Sequence, residues 1–402
     1  MKVLALSLIL LGATAPAADV LTVDDSGGKQ FTDIQPAIDT AQDGDVVLLW
    51  TGHYGPIEID GKAVSVIARG LPCSAVSITV RNLPPGNSIT LKGLSLGGYP
   101  DTPSLRLLNN AAPIWVDDVR MSAIGTGFTK SSQAQVRNCA DVVFVRCGFN
   151  ALEATGLGDG MAGLWATDSR VTLYRTSAWG GAGNPGLAIS EGGDGGAGIR
   201  ASNCDLFLGD VNCLGGDGGS GSLPSCGPGD GGAALWLAGV GNVVHVVDIE
   251  LEPGVAGASS SCPPAADGLP IQDDGIGTQF VAWPGKVPSL GTASASYIEG
   301  GLANVQVDFM PLDHLLFVVV GGTPGTWTLP ALFGRVVVDP VGAVHAVGPN
   351  PAPFFWVVQL PELPLGVDSR IFYLQPVSVD PATGAAILGT PLGLNVVDQT
   401  FF

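Results

Sequence analysis

The chain has 402 residues, with 59 glycines, 46% hydrophobic residues and only 13% charged ones. That composition can bury a large core and is not that of a disordered polar tail; glycine shows no three-residue period along the chain, which excludes collagen. The formal charge of −19, from 17 Lys and Arg against 36 Asp and Glu, argues against nucleic-acid and anionic-membrane partners, because both need a basic surface.

In chain order, Met1-Lys2 precedes an apolar run from Val3 to Leu11, and Ala15-Pro16-Ala17 supplies small residues for cleavage. This predicts a secretory signal peptide over residues 1–18. The run is too short to span a bilayer, and no later run reaches the ~18 residues a membrane helix needs. The expected location is therefore secreted, extracellular or on a bacterial cell surface, with no membrane span. Export permits disulfides, and the seven cysteines leave at least one unpaired. No C-x-x-C pair supports zinc or thioredoxin-type chemistry.

Leu21 to Val23 predicts a strand. Ile34, Ala37, Ile38 and Ala41 then recur at i, i+3, i+4, i+7, one face of a helix. Thr32 with Gln35 has the form of a capping box, and Pro36 falls in the first turn, where its missing N–H costs little. Strands are expected again at Val46 to Trp50, Ile57 to Ile59 and Val64 to Ile67. The text "FTDIQPAIDTAQDGDVVLLWTGHY", followed by "IEIDGKAVSVIA", resembles the start of the pectin-lyase-like superfamily of right-handed parallel β-helices. The resemblance implies an all-β solenoid over residues 19–285, plugged at its N-terminal end by a short helix, as an open solenoid end requires. It implies no one activity, since lyases, hydrolases, adhesins and non-enzymes share the fold.

A repeat supports the same architecture. Gly158-Asp159-Gly160 recurs as Gly193-Asp194-Gly195 and Gly229-Asp230-Gly231, at steps 194 − 159 = 35 and 230 − 194 = 36. Earlier, Val64, Ile89, Ile114, Val142 and Val171 open apolar strands at steps of 25, 25, 28 and 29. Periods in this range mark solenoids. The longer units differ by Gly-rich stretches at Gly180 to Gly198, Gly215 to Gly232 and Gly254 to Gly268, expected as insertions piling up at one corner.

Stacking places equivalent residues about 4.8 Å apart. Leu164, Ile199 and Leu235 then form an inward apolar column, and Trp165, Arg200 and Trp236 an outward ladder. That ladder allows cation–π stacking and would offer flat faces to sugar rings, which makes these three the candidate ligand-binding residues. Asp159, Asp194 and Asp230 form a carboxylate column, either a Ca²⁺ site that relieves mutual repulsion or a set of turn aspartates bonding their own backbone. Cys226 and Cys262, one period apart, suit a disulfide between stacked loops; Cys213 with Cys226 is the rival pairing.

Beyond a linker at 286–296 the character changes. Strands separated by Pro and Gly turns predict a β-sandwich over 297–402, similar to small modules that end secreted bacterial repeat proteins and expected to cap the solenoid's C-terminal end or to attach it to something. Hydrolases of the resembled family carry N-x-D, D-D, G-H-G and R-x-K in order; here Asp117-Asp118 is the lone fragment, and none of His53, His245, His314 and His345 lies in G-H-G. Family lyases pair calcium-binding aspartates with a basic residue, for which Arg200 or Arg175 is available. His245, within Val243 to Val247, is expected as a buried structural histidine. The expected function is an extracellular binding or structural module for polysaccharide or cell-surface glycan. The alternative is a calcium-dependent polysaccharide lyase, or a glycoside hydrolase, on acidic glycans, although a chain at −19 repels polyuronates.

Overall fold

The strands that the sequence spaces one coil apart lie side by side in parallel. Ile89 stands beside Ile114, then Val142, Val171, Leu206 and Val244 follow in register. The computed structural model describes residues 6–7, 18–70, 72–98, 102–122, 132–151, 158–186, 191–221, 227–259, 264–292, 296–308, 314–322, 324–327, 332–333, 335–338, 344–349, 354–363 and 367–401. Each coil supplies three short strands, so the chain winds as a parallel β-helix with three faces. The first face runs from Val20–Val23 to Gln279–Trp283, the second begins at Gly52–Tyr54, and the third runs from Ile57–Asp60 to Ile271–Asp273. Inward side chains fill the bore, and Leu164, Ile199 and Leu235 are each 0% exposed.

Helix Ile34–Thr40 plugs the N-terminal end, burying Ile34, Ala37 and Ile38 against the first coils. Its cap differs from the expected box by one residue. Asp33, in extended conformation, accepts from the Ile34 N–H at 2.7 Å, while Gln35 reaches outward to Asp39 and to the Glu58 carbonyl.

Two corners of the coil are left-handed turns. Between the third and first faces, positive φ is adopted by Gly61, Asn82, Asn109, Asn138, Asp168, Asn203 and Gly239, all residue types that tolerate it. Between the first and second faces the series is Gly93, Asp118, Arg146, Arg175, Asp210 and Asp248. Arginine is unusual there and each such residue costs about 1 kcal/mol or more.

The faces differ in what covers them. Third-face strands alternate buried and partly exposed residues, as in Leu164–Thr167 and Ile199–Ser202. First-face strands such as Val46–Leu49, Ile114–Asp117 and Val142–Val145 are buried throughout. The C-terminal module causes this. Its outer sheet holds Ser289–Thr292, Leu302–Asp308 and Phe354–Gln359, and its inner sheet Leu315–Gly321, Ser369–Val379 and Leu392–Val397. The two sheets enclose their own core, with Val305 and Val307 against Val318, Leu374 and Leu394. The inner sheet's other side lies on the β-helix, where Tyr373 and Ile387 join Trp115, Val143, Tyr174 and Phe207. Trp115 and Tyr373 rings meet at 4.8 Å. Tyr174 donates to the Arg335 carbonyl at 2.9 Å, and Arg335 Nη1 donates to Thr172 Oγ1 at 3.0 Å. The sandwich therefore lies along the flank of the solenoid and leaves the C-terminal coil uncapped among the described residues. Its first strand, Ser289–Thr292, falls inside the stretch expected as a linker. Within the expected leader, Leu6–Ser7 pairs in parallel with Val358–Gln359. No helix among the described residues is long and apolar enough to cross a membrane.

Candidate functional site

The outward ladder forms as the period requires: Trp165 neighbours Arg200, and Arg200 neighbours Trp236. The Arg200 guanidinium lies over both rings, 5.3 Å from the Trp165 centroid and 4.1 Å from that of Trp236. Trp236 Nε1 also donates to Asp274 at 2.8 Å. The ring faces turned toward Arg200 are thus occupied by the cation, and the ladder braces the open third face.

The Gly-rich stretches do stack at one corner, between the second and third faces, and they form a two-layered slab. Within them the glycine spacing is three, at Gly192, Gly195 and Gly198 and again at Gly215, Gly218 and Gly221. That spacing equals the three residues per turn of a polyproline II strand, a local period that the chain-wide reading missed. Each residue in the turn has a different task. Gly192 and Gly195 donate to the next coil in the same layer, at Gly227 and Asp230. Gly193 and Gly196 donate across to Asn184 and Gly181 in the other layer. The third residue points outward, where no strand follows, and the aspartate of the preceding coil answers its N–H. Asp159 Oδ1 accepts from Asp194 N at 3.0 Å, Asp194 Oδ1 from Asp230 N at 2.8 Å, and Asp230 Oδ1 from Ala266 N at 2.7 Å. The aspartates of the column expected as a calcium site or as turn residues thus each cap an N–H of the next coil. The described residues hold no group of three or more His, Cys, Asp or Glu able to bind a metal ion.

Cys226 and Cys262 lie outside the described residues. The rival pairing is not made, because Cys213 is a buried free thiol, as are Cys73, Cys139, Cys147 and Cys204. Burial pushes the Cys204 thiol up to about 11 and that of Cys213 to about 12, so these are packing residues and poor nucleophiles.

A groove of about 1060 Å³ opens beside the second left-handed corner, where the second face meets the connection to the sandwich. Corner residues Asp118, Arg146, Arg175, Asp210 and Asp248 line it at successive coils. The neighbouring column adds Arg120, Gly148, Ser177, Asn212 and Glu250, which stand in register. Asn150 lines the same wall, and Lys286 and Val287 close one side. Both arginines are braced by the sandwich: Arg146 pairs with buried Asp117 and donates to the Leu290 and Pro391 carbonyls, and Arg175 donates to Ser289 Oγ at 3.1 Å. Burial, and then the charge of Asp117, raises the Asp118 carboxyl above its ordinary value; burial, and then Asp248, does the same for Asp210. The amide oxygens of Asn150 and Asn212 are buried and accept no hydrogen bond among the described residues, which is costly unless something else supplies a donor.

Of the sequence candidates, the structure brings Arg175 and Asp118 into this groove and leaves the Trp–Arg–Trp and aspartate ladders elsewhere. Asp117 and Asp118, adjacent in the chain, part company: Asp117 is buried against Lys92 and Arg146, and Asp118 turns into the groove. His245 is partly buried and stacks on Trp283 at 5.0 Å, with its pKa lowered by burial and then by Arg335. Asp210, Asp248, Asn150 and Asn212 were not singled out from sequence. The signal available was the polar residue that ends each first-face run at one-coil intervals.

No family model matches the chain, and no curated protein does. Among solved structures, the chain is similar to full-length tailspike protein 2 (TSP2) from the Escherichia coli O157:H7 bacteriophage CAB120, with a TM-score of 0.32 and 11% identity over 96% of this chain. It spans 64% of that tailspike's length. It is also similar to the enzymatically active domain of tailspike protein 2 from bacteriophage CBA120, with a TM-score of 0.32, 10% identity, and coverage of 96% of this chain and 72% of that one.

Proposed function

We propose that the protein is an extracellular glycan-binding β-helix, a divergent member of the pectin-lyase-like superfamily, and that the groove beside the sandwich is its binding site. The carrying observation is the groove itself. Its lining across five coils combines guanidinium, carboxylate, amide and hydroxyl groups, which pair with the hydroxyls of an extended saccharide. Few apolar anchors are present, such as a folded peptide would need, and the net charge opposes a polyanion such as nucleic acid. The test is affinity electrophoresis against soluble dextran, galactomannan, pectate and alginate, comparing the native protein with Asn212→Ala. Retardation in at least one polymer, reduced in the variant, is expected; native migration unaffected by all four would overturn the reading.

Hydrolysis is the second reading, favoured by the Asp210 carboxyl, raised next to Asp248. Glycoside cleavage uses a pair of carboxyl groups, and a raised value suits the one that donates a proton. The lyase alternative is weaker, because the aspartate ladder lies outside the groove that holds Arg175. New reducing ends from a bound polymer, abolished in Asp210→Asn with binding retained, would establish hydrolysis; new absorbance of an unsaturated uronate would establish the lyase instead.

A further inference from the structure

We infer that Trp179, together with Asn150 and Asn212, forms a pyranose-stacking subsite at the rim of the groove, an inference that rests on the glycan reading above. Trp179 ends strand Arg170–Trp179 with its side chain 44% exposed, although strand neighbours Thr176 and Ala178 are buried. Alternation along the strand sends Trp179 to the same side as Ser177, and Ser177 lines the groove. In the sheet Trp179 stands directly beside Asn150, while Ser177 stands beside Asn212. One exposed indole thus has Asn150 beside it and Asn212 diagonally across from it on the next coil, where Leu214 is its direct neighbour, and the oxygens of both amides are buried without a donor.

These features answer each other. A half-exposed tryptophan keeps apolar area in water that a ring face would cover. The unpartnered amide oxygens need hydroxyl donors. A hexopyranose supplies both: a face of C–H groups for the indole and equatorial hydroxyls for the amides. The contrast with Trp165 and Trp236 is physical, since their inner faces are taken by Arg200, whereas no cation–π or ring contact occupies Trp179 among the described residues. The subsite also sets direction. Trp179 lies at the end of the second-face strand farthest from the left-handed corner, so a saccharide stacked on it extends across the second face toward Asp210 and Asp248.

The experiment uses the full chain and whichever of the four polymers binds it tightest. Trp179→Ala is expected to weaken binding about tenfold, Trp179→Phe less, and Trp165→Ala not at all, with the unfolding midpoint of Trp179→Phe close to native because an aromatic ring keeps most of the buried contact. Native fluorescence should shift on binding, and the shift should be lost in Trp179→Phe. Unchanged affinity and an unchanged shift in both Trp179 variants would overturn the subsite while the groove reading stands. Failure of the native protein to bind any polymer would overturn both.

Discussion

Asp210 and Asp248 are the same residue type, at the same corner, one coil apart. Burial raises Asp210 first and the neighbouring carboxylate raises it further. Between the ordinary value and the raised one, the folded chain holds a proton that the unfolded chain lacks. Stability at this site therefore falls as pH rises through that window, and the penalty disappears as pH drops below the ordinary carboxylate value. Replacing Asp248 with Asn removes the charge and keeps the burial. The Asp210 carboxyl, followed by carbon-13 NMR, should then titrate lower than in the native protein but not as low as an exposed aspartate; an unmoved titration would mean that the two side chains do not sense each other. None of this was legible in the sequence. Neighbouring letters such as Asp117 and Asp118 differ in fate because a left-handed turn lies at Asp118, and a turn of that kind is clear in sequence only where Gly or Asn marks it, as at the opposite corner.

The slab is the element in which side chains matter least and their absence matters most. Each strand in it donates in three directions, so backbones approach closer than any Cβ permits. A methyl group on Gly195 would overlap the Gly216 carbonyl, whereas one on Gly158 would meet nothing within 4 Å. Gly195→Ala should therefore lower the unfolding midpoint strongly, by the equivalent of at least about 2 kcal/mol, and Gly158→Ala should leave it within about 0.5 kcal/mol, both read from urea melts. Equal effects would mean that the two layers are not in contact. The 35–36-residue period was legible because Gly-Asp-Gly recurs in three successive coils, at Asp159, Asp194 and Asp230, and the position of the slab was legible with it. Its three-residue screw lies in the same letters but vanishes in chain-wide averages. Docking of the sandwich had a signal of its own: first-face strands such as Val46–Leu49 and Val142–Val145 are unbroken apolar runs, as expected when both sides of a parallel sheet are covered, and third-face strands alternate.

At the scale of the whole molecule, the two ends of the solenoid are finished differently. Helix Ile34–Thr40 closes the first end, and the first strand, Val20–Val23, is buried throughout. The sandwich, which could have closed the other end, lies along the flank, on the apolar outward side chains of the first face. Gln279–Trp283 consequently pairs with Val243–Val247 on one side only among the described residues, and Phe280 and Val281 remain 43% and 36% exposed. In a solenoid, stability passes between neighbouring coils, so a coil with one neighbour opens at lower cost than one with two. Hydrogen exchange should show the amides of Gln279–Trp283 exchanging well before those of Val142–Val145, which pair on both sides, with Val20–Val23 protected by the helix plug. Should Gln279–Trp283 prove as slow as Val142–Val145 in dilute protein, the last coil is covered in solution. Dependence of that protection on protein concentration would then identify a second copy of the chain as the cover.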